Sequence, residues 1–116
     1  MGLSLRSGPD WQVQLVATDN APVAQAFAQG WQTAEGTRIR LEIEGLTAAG
    51  DDAYYEIWLT AADGRHVSGG TFSGPGLVET SIGVARQDFP RVWITREVTD
   101  DDLGPSSVVV FDDPDF

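Results

Sequence analysis

His66 is the only histidine in the 116 residues, with Ser68 two positions on and Asp63 three before it. Serine, histidine and a carboxylate can form a nucleophilic relay. That chemistry needs the serine held against the base and an oxyanion hole beside it. No G-x-S-x-G elbow is present to supply them, and the stretch reads instead as a solvated hairpin. One histidine and no cysteine are too few for a zinc site. Calcium is the better metal candidate, because Asp100, Asp101 and Asp102 are consecutive and Asp112, Asp113 and Asp115 cluster. The D-x-D-x-D-G loop is absent, however, and alternate strand residues point apart. The two clusters also flank the last strand, which puts them roughly 17 Å apart. No metal and no cofactor is assigned. "GGTFSGPG" (69–76) is glycine-rich, but a phosphate cradle needs a helix start behind it, and here an alternating strand follows. No pair of carboxylates stands out for hydrolysis, so no catalytic residue is assigned. Trp11, Trp31, Trp58 and Trp93 could stack on sugars, yet each lies on an alternating strand where core packing is the default.

The bulk composition narrows the partners. The net charge is −11, and all seven basic residues are arginine. A chain without a positive patch cannot release phosphate counterions, which argues against nucleic acid and against an anionic lipid surface. The 41% hydrophobic content suits one globular domain with a real core. No apolar run approaches the roughly 20 residues of a membrane helix, and Met1–Pro9 has no apolar h-region of a signal peptide.

The elements that would carry these residues are strands. Trp11, Val13, Leu15 and Ala17 alternate with polar neighbours. Val23 to Thr33 resumes the pattern, with Val23, Phe27 and Trp31 on one side. In "TRIRLEIEGL", Ile39, Leu41 and Ile43 oppose Arg38, Arg40, Glu42 and Glu44, the mark of a half-buried antiparallel strand. Tyr54–Thr60, Leu77–Val84, Arg91–Val98 and Val108–Phe111 follow. Asp63-Gly64 is the strongest hairpin signal. A two-residue loop there would set Leu59 opposite Ser68, Trp58 opposite Gly69, Ile57 opposite Gly70 and Tyr55 opposite Phe72, so that large side chains cover the glycines. The prediction is an all-β protein, an antiparallel immunoglobulin-like β-sandwich of seven or eight strands. Residues 1–10 read as a stalk or leading segment, 11–111 as the single domain, and 112–116 as a frayed acidic tail.

The stretch "YYEIWL", "ADG" and "GGTF" resembles the extracytoplasmic C-terminal domain of anti-sigma-K-type regulators, the RskA family. The matching positions are Tyr55, Glu56, Trp58, Leu59, Gly70 and Phe72, and "GTRIRLEIEGL" resembles the strand before that motif. The resemblance covers roughly residues 11–111, and the absence of lysine fits a high-GC actinobacterial-type gene. Glu97 is followed by Val98, where the family often has proline. The resemblance implies a non-catalytic sensor on the extracytoplasmic face of the cell membrane, governing regulated proteolysis of a membrane-anchored anti-sigma factor. The six motif residues would then be structural. The sigma factor would be bound only through a cytoplasmic domain that this sequence lacks, and the partner here would be an unidentified ligand or envelope protein. The alternative is a free-standing module for an envelope polymer, carbohydrate or protein.

Overall fold

A computed structural model describes residues 8–116, so most of the expected stalk lies outside the described residues. All regular structure in it is strand: β1 (Trp11–Ala17), β2 (Gln25–Thr33), β3 (Gly36–Glu44), β4 (Ala53–Thr60), β5 (His66–Phe72), β6 (Gly76–Ile82), β7 (Arg91–Val98) and β8 (Val109–Asp112). The strands form one antiparallel sheet in the order β5-β4-β7-β8-β1-β2-β3-β6. Its two end strands come together where the Thr80 hydroxyl donates to the Gly69 carbonyl at 2.7 Å, so the sheet is nearly closed, like a barrel. The all-β antiparallel class agrees with expectation. The immunoglobulin-like sandwich is not established by this pairing, because β8 pairs with both β1 and β7 and joins what would otherwise be two sheets.

Apolar side chains on the concave face fill the interior. Leu15, Ile39, Leu41, Ile57, Leu59, Val92, Ile94, Val110 and Phe111 form one buried cluster. On β2 the inward positions are Ala26 and Ala28, while Phe27 and Trp31 are only partly buried. The small side of β2 therefore faces the core. Val23 lies outside β2 and is strongly exposed.

The β4–β5 hairpin corrects the expected register. Ala61 N–H donates to the Arg65 carbonyl and Gly64 N–H to the Ala61 carbonyl, which makes a three-residue loop with Gly64 at φ +94°. Such loops take a left-handed residue at the third position. The longer loop sets Trp58 opposite Ser68 and Leu59 opposite Val67. A bulge then restores the expected pairs Ile57–Gly70 and Tyr55–Phe72. Gly69 is the extra residue, and a Cβ there would lie 2.9 Å from Ile82 Cδ1 and 3.0 Å from Ile57 Cγ2. An aromatic over a glycine does occur elsewhere: Trp11 pairs with Gly30, and its indole occupies the space a Cβ would need.

Asp112 and Asp113, expected in a frayed tail, are part of the fold. Asp112 belongs to β8 and pairs with Arg91 through two hydrogen bonds of 3.0 and 2.9 Å. Asp113 is buried and accepts the Val92 N–H. At the other terminus, Asp10 donates its N–H to Gly30 and accepts from Gln32 N–H through its carboxylate, so it is tied into the domain.

Candidate functional site

A polar constellation lies on the convex side of β4, β5 and β7. Trp58 and Trp93 face each other across the β4–β7 ladder. Each indole N–H reaches diagonally to a threonine of the opposite strand: Trp58 Nε1 to Thr95 Oγ1 at 2.9 Å, and Trp93 Nε1 to Thr60 Oγ1 at 2.7 Å. Both indoles are buried, at 3% and 8% exposure, although neither faces the main core. Buried indoles need a partner for the N–H, and the two threonines supply it.

Thr95 passes the chain onward. Its hydroxyl donates to the Glu97 carboxylate, which also accepts the Ser106 N–H at 2.7 Å. Glu97 is only 4% exposed, and these donors replace part of its hydration. Beside it, the Ser68 hydroxyl donates to Glu56 at 2.5 Å. Burial pushes the Glu56 carboxyl above its ordinary range, the Ser68 hydrogen bond opposes this, and the Glu97 charge adds to the rise. The His66 ring meets Trp58 edge-on at 5.3 Å.

The motif residues Tyr55, Glu56, Trp58, Leu59, Gly70 and Phe72 divide between the two sides of this hairpin. Tyr55 stacks on Phe72 at 5.4 Å and donates its hydroxyl to the Thr47 carbonyl at 2.7 Å. Burial raises the Tyr55 phenol, with Arg96 acting the other way. Leu59 is fully buried. Gly70 sits at φ +113°, a conformation that side chains resist. Glu56 and Trp58 belong to the convex network described above.

The other residues with chemical potential are spoken for or scattered. Asp63 binds Arg65 through two side-chain contacts and accepts its backbone N–H. That backbone bond is the first cause holding the Asp63 carboxyl below its usual range. Ser68 is engaged with Glu56, so the Asp63, His66 and Ser68 trio forms no relay. Asp100 and Asp102 accept loop N–H groups two residues on. No group of three or more potential metal ligands occurs among the described residues. Two open hollows flank the hairpin tip. One, of about 460 Å³, lies between Ala61–Arg65 and Gln87–Phe89; the other, of about 540 Å³, is bounded by Arg91 and Phe116. Neither gathers groups that could do chemistry together.

The faces of three tryptophans carry guanidinium groups. Arg86 lies 4.2 Å from the Trp11 ring, Arg38 4.4 Å from Trp31 and Arg91 4.3 Å from Trp93. These cation–π pairs occupy faces a sugar would need. The sequence signal for them is weak, because only Arg91 and Trp93 are close in the chain.

The family described as "Anti-sigma-K factor rskA, C-terminal" matches residues 3–109. No curated protein matches the chain, and no solved structure does. Tyr-Glu-x-Trp-Leu on β4 and the glycine-aromatic return on β5 lie inside the matched range, as do the convex network and the closing contact between β5 and β6. The chain belongs to the RskA anti-sigma-K C-terminal family.

Proposed function

We propose that this domain is the non-catalytic, extracytoplasmic sensor of a membrane-anchored anti-sigma factor, and that its folded state governs regulated proteolysis and hence sigma-factor release. The observation that carries the reading is the family match over residues 3–109. Supporting it, Asp63, Ser68, Glu56, Thr95 and Glu97 are engaged in hydrogen bonds that serve the fold. We assign the six motif residues to the same task of holding β4 against β5 and β7. A domain of this kind needs a stable fold that shields a neighbouring cleavable segment, and a ligand, partner or stress that changes the shielding. The alternative, a sugar-binding module, is disfavoured by the arginines on Trp11, Trp31 and Trp93.

The test is an antibody to this domain used on membrane and soluble fractions of source cells, with protease added to intact cells. A membrane-bound band larger than 12.5 kDa, with the domain degraded from outside, is the expected result. A soluble band near that mass would remove the membrane regulator and leave the binding module. In the same cells, destabilising the domain through Trp58→Ala should raise sigma-dependent transcription, whereas unchanged transcription would detach the fold from the switch.

A further inference from the structure

β8 is the shortest of the described strands, with four residues, and the last of them in sequence order, yet it stands in the middle of the sheet. It pairs with β1 at Val16–Asp112 and Ala17–Phe111, and with β7 at Ile94–Phe111 and Thr95–Val109. Among the described residues, no other backbone ladder joins β5-β4-β7 to β1-β2-β3-β6. The opposite seam has the Thr80–Gly69 contact but no ladder. Much of the grip on β8 comes from side chains. Phe111 and Val110 are sunk in the core, Arg91 clamps Asp112, and Asp113 accepts the Val92 N–H. Thr18 Oγ1 and Asn20 Nδ2 both donate to the Val109 carbonyl.

The connection from β7 to β8 is of a different character. Residues 99–108 contain no helix or strand. Leu103 is 83% exposed, and the neighbouring Asp102 and Gly104 N–H groups bond only to side chains of the loop itself.

We propose that β8 is a detachable keystone: the slot between β7 and β1 is a binding site for an extended apolar-aromatic-acid segment, and cleavage of the Leu103–Gly104 bond makes the fold depend on retaining residues 104–116 as a bound peptide. A protease adds water across that amide, giving a Leu103 carboxylate and a Gly104 amine. While the loop is intact, the tether holds β8 at an effective concentration in the millimolar range. After the cut, the free peptide concentration takes its place. At micromolar protein this is a drop of about a thousandfold, and stability becomes concentration-dependent by mass action. Loss of the segment also bares the facing edges of β7 and β1, which are unprotected strand templates. The inference stands on topology and packing, so it holds or fails independently of the regulatory role.

The experiment is limited digestion of the full chain with chymotrypsin, followed by thermal melts of the nicked protein at several dilutions. Among the described residues, the first cut is expected after Leu103. The nicked protein should melt at lower temperature on dilution, and excess synthetic peptide of residues 104–116 should restore it saturably. The same peptide carrying Phe111→Ala should not. If Leu103 resists the enzyme, a flexible protease-recognition sequence inserted between Asp102 and Leu103 supplies the nick. A nicked protein that melts like the intact chain at every dilution and takes up no labelled peptide overturns the proposal, as does rescue by the Phe111→Ala peptide.

Discussion

The two halves of the sheet solve burial differently. In the β1-β2-β3-β6 half the interior face is dry and the outer face is wet. β3 shows this most clearly, with Ile39, Leu41 and Ile43 buried and Arg38, Glu42 and Glu44 exposed. In the β4-β7 half both faces are covered. Ile57, Leu59, Val92 and Ile94 fill the core, while Trp58, Trp93, Thr95 and Glu97 are buried on the convex side. The first half relies on alternation alone. The second adds a hydrogen-bonded layer whose members must all be satisfied together, because buried polar groups without partners are costly. Strands that carry two layers should tolerate substitution less well on their outer face than strands that carry one.

Matched tryptophans test this most sharply. Trp58→Ala should cost about 3–5 kcal/mol, as for a fully buried aromatic. Trp31→Ala should cost less, about 1 kcal/mol, in keeping with its partial burial and its contact with Arg38. Urea denaturation of the two variants measures the gap, and equal losses would erase the contrast between the halves. Thr95→Val comes next. It keeps the shape but strips the indole N–H of Trp58 and the carboxylate of Glu97 of a partner, at about 1–3 kcal/mol. A neutral result would mean the convex layer is held by packing rather than by its hydrogen bonds. Arg38→Ala on the single-layer side should lose about 0.5–1 kcal/mol, and a larger loss would give that face a layer of its own.

The smallest effect is titratable. Burial raises the Glu56 carboxyl above its ordinary value of 4.5, so the folded state holds that proton more firmly than the unfolded chain. Its stabilising contribution is complete below the unfolded pKa and is lost as pH rises through the folded one. Glu56→Gln should therefore gain on the parent as pH rises from about 4 to about 7 in paired urea melts. A variant that instead loses ground to the parent over that range would reverse the sign assigned to the burial of Glu56.

Strand positions were legible because period two survives in the sequence wherever one face is wet, as in β3. Asp63-Gly64 marked the hairpin correctly, but composition does not reveal loop length. The third loop residue moved Trp58 from Gly69 to Ser68, and the Gly69 bulge then hid the error at Tyr55 and Phe72. On β2 the alternation was visible, yet it could not say that the alanine side faces inward. The burial of Asp113 depends on the Val92 N–H, a partner remote in sequence, and Asp112, Asp113 and Asp115 together read as a solvated tail. The convex layer was missed for a similar reason. Trp58 finds Thr95, and Trp93 finds Thr60, only once β4 and β7 lie side by side, and neither strand announces its neighbour. Near closure of the sheet has no local signal at all.

The seam between β5 and β6 has a consequence in time. Inner strands such as β4 and β3 are laddered on both sides, so their amides exchange hydrogen for deuterium only when a neighbour peels away. At the seam the Thr80–Gly69 contact stands where a row of backbone bonds would otherwise be, and a brief parting there exposes the free edges of both strands without unfolding the rest. Deuterium should accordingly enter along that line first, and the slowest protons should be those farthest from it around the sheet.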